Sequence, residues 1–222
     1  MEPRAVPRAK LTRKSGESPG KEIMKIYLKE KPGGWKSYMG NLNEGDLKKE
    51  IEARSITIRQ GAIIDEGVAI GDGVTINKWA TINKGAVICK GATIGGESTI
   101  GKEATIGEET IIYECATIGE GAVIGEWVTI AARVIIPAKA TIGNGVKIST
   151  SYDCVVLGPL GSRESILTSY MHDGELIVAT GCFIGKIDAF EAAVKKQHAG
   201  TQYEKKYLLA IDYLRSNFFQ TK

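Results

Sequence analysis

Histidine is scarce: the 222-residue chain holds two, His172 and His198. Imidazole is the usual proton-transfer group near neutral pH, so two positions at most are open to that chemistry. The four cysteines, Cys89, Cys115, Cys154 and Cys182, form no C-x-x-C pair. That argues against a zinc cage or a disulfide framework and fits thiols kept reduced in a cytoplasm. No apolar run reaches the roughly 20 residues of a membrane helix, and the basic N-terminus lacks the apolar segment of a secretory signal. A cytoplasmic protein without a membrane partner is expected. Charge of one sign is also lacking, with 29 basic residues against 26 acidic. Residues 1–22 hold six basic and three acidic residues and so carry the whole excess. The remainder offers no broad phosphate-binding footprint, and nucleic acid is not an expected partner.

What is present is a repeat. From Ile58 to Ile148 isoleucine returns every sixth residue, sixteen times without a substitution. Two residues before each Ile stands a small or β-branched residue, as in Ala62, Val74, Ala92 and Thr110, and Gly often follows the Ile, as in Gly95, Gly101 and Gly107. A period of six is not an α-helix, whose apolar face recurs near 3.6 residues, and a plain strand would alternate without Gly at fixed phase. A short strand and a turn fit inside each six, with the Ile and the small residue inward and the intervening residue, often Thr, outward. Fixed short periods mark solenoids.

The flanks differ from the repeat. Residues 1–22, rich in Pro, Gly, Ser and charge, read as a disordered basic tail. Residues 23–54 read as an N-terminal cover: strands at 25–30 and 35–39 around Pro32-Gly33-Gly34, then a helix capped by Asp46 with Leu47 and Ile51 on one face. Residues 55–150 are the repeat body. In 151–222 the period is gone. Strands at 154–157, 166–171 and 175–180 turn at His172-Asp173-Gly174, a helix capped by Asp188 runs to about His198, and a last helix at 201–219 stripes Tyr207, Ile211, Leu214 and Phe218. This is a C-terminal α+β module.

The run Ser98–Glu109, STIGKEATIGEE, resembles the hexapeptide-repeat family, whose pattern is [LIV]-[GAED]-x-x-[STAV]-x. The resemblance implies a left-handed parallel β-helix of three hexads per coil, about five coils in all, and a homotrimer. Many members of that family are acyltransferases using a coil histidine as base, and others bind zinc through three coil histidines. Here the coils contain none, so no catalytic residue, metal ligand or cofactor is carried over, and the enzyme question leans towards no. In the C-terminal module the strings G-P-L-G-S-R (158–163), G-C-F (181–183) and F-E-x-x-V (190–194) resemble a module attached to repeat proteins in bacterial and phage genomes.

Sorted by steps of eighteen residues, two corners of each coil are bland and Gly-rich, Trp127 apart. The third reads RQG (59–61), NKW (77–79), GGE (95–97), YEC (113–115) and AAR (131–133). Stacking places Trp79, Glu97, Cys115 and Arg133 in one column, with Arg59, Asn77 and Tyr113 beside it. An aromatic ring, a guanidinium and a carboxylate suit a planar or anionic ligand. The same residues suit packing against a neighbouring subunit, and both readings stand. Cys115 has no base placed beside it by spacing, which argues against a nucleophile. Ser162 and Arg163 close a glycine-bracketed turn able to offer amides and a guanidinium to a phosphate, or to serve as a tight turn with an ion pair. The ligand-binding candidates are therefore Trp79, Glu97, Tyr113, Arg133, Ser162 and Arg163. The expectation is a non-catalytic homotrimer holding a small anionic or nucleotide-like ligand, such as a phage-type protein sequestering a signalling nucleotide. The alternatives are an acyl-CoA-dependent transferase without the usual histidine, and a trimeric scaffold.

Overall fold

The computed structural model describes residues 24–29, 35–40, 45–161 and 163–219. The expected tail at 1–22 and the candidate Ser162 lie outside the described residues. The chain opens with β1 (Met24–Lys29) and β2 (Trp35–Gly40), then α1 (Gly45–Ala53). Sixteen two-residue strands follow, β3 to β18, from Thr57–Ile58 to Lys147–Ile148. The C-terminal part is β19 (Cys154–Leu160), β20 (Ser165–His172), β21 (Glu175–Thr180), β22 (Phe183–Lys186), α2 (Ile187–Gln197) and α3 (Gln202–Phe219).

The sixteen short strands form a parallel β-helix of a little over five coils. Residues eighteen apart pair in parallel, as Ile58 with Ile76 and Ile100 with Ile118, so three parallel sheets make the three faces. At the roughly 4.8 Å spacing of hydrogen-bonded strands the column is on the order of 25 Å tall. The inward stack is near-continuous: Ile76, Ile82, Ile88, Ile94 and Ile100 are fully buried, with Ala80, Ala86 and Ala92 filling the space between them. Each buried isoleucine contributes about 1.5–3 kcal/mol. The intervening threonines, such as Thr93 and Thr105, stand half-exposed on the outer faces.

Both ends of such a column present unpaired backbone groups and open core. At the bottom, β1 pairs in parallel with β5 (Ala69–Ile70), the Tyr27 amide donates to the Val68 carbonyl at 2.8 Å, and Leu47 and Ile51 of α1 close the core. Asp46 sits inside the first turn of α1, which starts at Gly45, and not at the cap position.

At the top, the amides that would reach a further coil find side-chain oxygens instead. Ile135 donates to Ser151 Oγ at 2.9 Å, Thr141 to Thr168 Oγ1 at 3.0 Å, Gly143 to Tyr170 Oη at 2.8 Å and Ser149 to Asp153 Oδ2 at 2.8 Å. In the coil below, Gly119 donates to Ile136 at 2.9 Å. One coil up, that position is Pro137, which has no amide to satisfy.

Above this cap, β19 to β22 form an antiparallel sheet covered by α2 and α3, with its own core of Leu167, Val178, Phe190, Val194, Ile211 and Leu214. The turn between β20 and β21 is Asp173-Gly174, both left-handed, as a two-residue hairpin requires. Two details depart from the sequence reading. The fourth strand, β22, was not expected. Asp188 is not a cap: α2 is capped at Lys186, and Asp188 instead accepts from Arg215 at 2.6 Å, tying α2 to α3 together with the Arg215–Glu191 pair at 2.7 Å. No helix among the described residues is long and apolar enough to cross a membrane.

Candidate functional site

The coil turns at a left-handed residue. The third position of every corner has φ between +53° and +82°. Glycine accepts this freely, whereas other residues pay about 1–2 kcal/mol. Two of the three corner columns hold two non-glycine residues each at this position: Glu103 with Lys139, and Glu109 with Trp127. The third holds four, Trp79, Glu97, Cys115 and Arg133, above Gly61. Backbone strain concentrated in this way clusters at functional sites.

The stack is physical as well as sequential. The Glu97 amide donates to the Lys78 carbonyl at 3.0 Å, Cys115 to Gly96 at 2.9 Å and Arg133 to Glu114 at 3.0 Å. Cys115 Sγ lies 3.9 Å from Glu97 Oε2. The Trp79 indole folds over Gly61 in the coil beneath, where a Cβ would run into its ring. It nonetheless keeps 62% of its surface exposed.

Beside the column runs a groove of about 380 Å³, lined by Arg59, Asn77, Lys78, Gly95, Tyr113 and Glu114 among others. Of the candidates, Tyr113 lines it, with its expected neighbours Arg59 and Asn77; Trp79, Glu97 and Arg133 stand outside its lining. Asn77 is committed to the coil, its Nδ2 donating to the Ile94 carbonyl at 2.9 Å. Gly95 lines it too, and a Cβ there would strike the Tyr113 backbone at 2.6 Å, so the coils stack this closely only with glycine. Lys78 and Glu114 were missed by the sequence reading, which weighed the first and third corner positions and passed over the second. Among the described residues the arginines in ion pairs are Arg54 and Arg215, so Arg59, Arg133 and Arg163 keep their charge uncompensated by a carboxylate. The groove can thus offer two cations and a phenol ring to an anion, with one carboxylate at its edge.

Arg163, far from this corner, lines a different cavity beneath α2 and α3. Within the described residues no three His, Cys, Asp or Glu side chains gather as metal ligands.

A model of the bacterial transferase hexapeptide, six repeats long, matches residues 97–132. Residues 97–132 thus carry the hexapeptide repeat of that family. No curated protein matches the chain. Among solved structures, a variant of perosamine N-acetyltransferase from Caulobacter crescentus, in complex with CoA and GDP-perosamine, is 23% identical with a TM-score of 0.26. The likeness covers 42% of this chain and about half, 49%, of that one. A structure from Bacillus cereus named for acetyltransferase activity is 16% identical over 71% of this chain and 92% of its own, with a TM-score of 0.33. These likenesses carry no functional residue across. The matched hexads hold Glu97 and Cys115 of the irregular column, Tyr113 beside it, and no histidine.

Proposed function

We propose that the protein is a non-catalytic hexapeptide-repeat trimer that holds a small, planar anionic ligand of nucleotide type in the corner groove. The observation that carries this reading is the coincidence of two irregularities at one corner: the groove with Arg59, Lys78 and Tyr113, and the four strained non-glycine residues beside it. A cation pair with an aromatic ring matches an anion joined to a planar group. Trimerisation is supported by apolar side chains left on the outer faces, among them Ile63 and Ile135, 58% and 57% exposed on the sheet that starts from this corner, and Ile111, 39% exposed on the sheet that ends there. Thr93 and Ile111 of that second sheet line the groove, so a neighbouring subunit laid against it would wall the groove.

The test is ligand affinity in paired variants. Arg59→Gln and Tyr113→Ala each weaken binding of a nucleotide-type anion, measured calorimetrically, by about tenfold, the worth of a charge-assisted hydrogen bond or a buried ring contact. Unchanged affinity with a weakened trimer would make the corner a packing surface.

One observation favours a second reading, acyl transfer from a CoA thioester. Glu114 lines the groove and would supply a carboxylate as proton acceptor, and the matching family model describes transferases. Under that reading CoA raises the melting temperature and Glu114→Gln abolishes acetyl-CoA turnover over a panel of amines and sugars. Under the first reading, CoA turnover is absent in the unmodified protein.

A further inference from the structure

Three strings far apart in the C-terminal chain, ending at Arg163, spanning 181–183 and spanning 190–194, converge on one cavity of about 450 Å³. Its size lies within the roughly 300–1,000 Å³ of small-molecule sites. Phe190 and Tyr207 meet edge to face at 5.6 Å and Phe183 lies 5.1 Å from Phe190, which gives an aromatic wall. His198 packs on Tyr207 at 5.5 Å. Arg163 and Cys182 are exposed at the mouth.

Among the described residues Arg163 is the lining's permanently charged group. Ser165, Gln197 and His198 line the cavity with it, no carboxylate does, and Arg163 has no ion-pair partner. Thr180 is on the same lining, and its hydroxyl is buried without a hydrogen-bond partner. The approach is also shaped at the backbone. Gly161 is left-handed at φ +72°, and a Cβ there would collide with the Tyr207 hydroxyl, so the turn carrying Arg163 closes onto the aromatic wall only with glycine.

We propose that this cavity binds a small ligand that joins an aromatic ring to a phosphate-type anion, of nucleoside-monophosphate size. The ring stacks on the Phe190–Tyr207 wall, the anion takes the Arg163 guanidinium, and the Thr180 hydroxyl gains its missing partner. This second site stands apart from the corner groove and does not depend on it.

Two exposed thiols report the two sites separately, Cys182 at this cavity and Cys115 at the corner column. The full-length protein is alkylated in the presence of phenyl phosphate or a mononucleotide, and the rate at each cysteine is read by peptide mass spectrometry. The expected result is slowing of Cys182 by at least about fivefold at roughly millimolar ligand, in the unmodified protein and in Arg59→Gln alike. Inorganic phosphate and adenosine, each half of the ligand, protect about tenfold less effectively. Arg163→Gln raises the concentration needed by about tenfold or more while circular dichroism stays unchanged, and Arg163→Lys recovers part of the loss. The proposal is overturned if no aromatic phosphate protects Cys182 up to roughly 10 mM. It is equally overturned if protection survives Arg163→Gln.

Discussion

At the scale of single residues, the protein's chemistry is set by which groups the coil buries and which it strains. Cys154 is 4% exposed, and burial, reinforced by Asp153, pushes its thiol up to about 12. The neutral thiol is therefore favoured in the fold, so Cys154 resists alkylation in the native state near neutral pH while Cys115 and Cys182 react. The linkage has a defined sign. A thiol that binds its proton more tightly when folded stabilises the fold below the ordinary value of 9.0 and loses that contribution as pH rises towards 12. Tyr170, raised by burial against the lowering effect of the Gly143 amide, acts in the same direction. Thermal unfolding followed between pH 9 and 11 is expected to show a steeper fall for the unmodified protein than for Cys154→Ala. Strain gives a second expectation. Glu103, left-handed at φ +57° in a corner outside the candidate site, costs about 1 kcal/mol, so Glu103→Gly raises stability by up to that amount in urea unfolding.

At the scale of elements, the two ends of the column matter more than its middle. Every interior coil receives its hydrogen bonds from the next, whereas the top coil depends on oxygens supplied by β20 and by the turn at 150–153. Tyr170→Phe keeps the ring and strands the Gly143 amide under the cap. A loss of about 1–3 kcal/mol is expected in urea unfolding, with faster hydrogen exchange confined to the top coil. Interior turns fail for a different reason. A Cβ on Gly101 would sit 2.6 Å from the Glu120 backbone nitrogen, so Gly101→Ala forces adjacent coils apart.

The repeat, its coil count and the inward isoleucine stack were legible in the sequence because one spacing dictates burial, pairing and turn position together. The identity of the capping oxygens was not. Ser151, Thr168 and Tyr170 belong to no periodic pattern, and their role appears once the sheet is folded over the last coil. The same holds for the sites. Column neighbours such as Trp79 over Gly61 and Cys115 by Glu97 follow from an eighteen-residue step. Glu114 and Lys78 enter the groove from the second corner position, which the sequence reading passed over, and the C-terminal cavity joins strings that share no period. Arg163 was singled out from its own turn, but its partners Phe190, Gln197 and Tyr207 come from two helices.

At the scale of the whole molecule, a regular column supplies stiffness and three repeated faces, and function is assigned to the places where regularity breaks. Apolar side chains on the outer faces, Trp127 at 65% exposure among them, favour burial against further copies of the chain. The most direct measurement is native mass spectrometry of the freshly purified, full-length protein under conditions that preserve complexes. The expected spectrum is a trimer carrying a small anionic molecule, with the occupancy reduced in Arg59→Gln and in Tyr113→Ala. A monomer, or a trimer of bare protein mass that takes up no nucleotide-type anion when one is added, would contradict the proposed binding function.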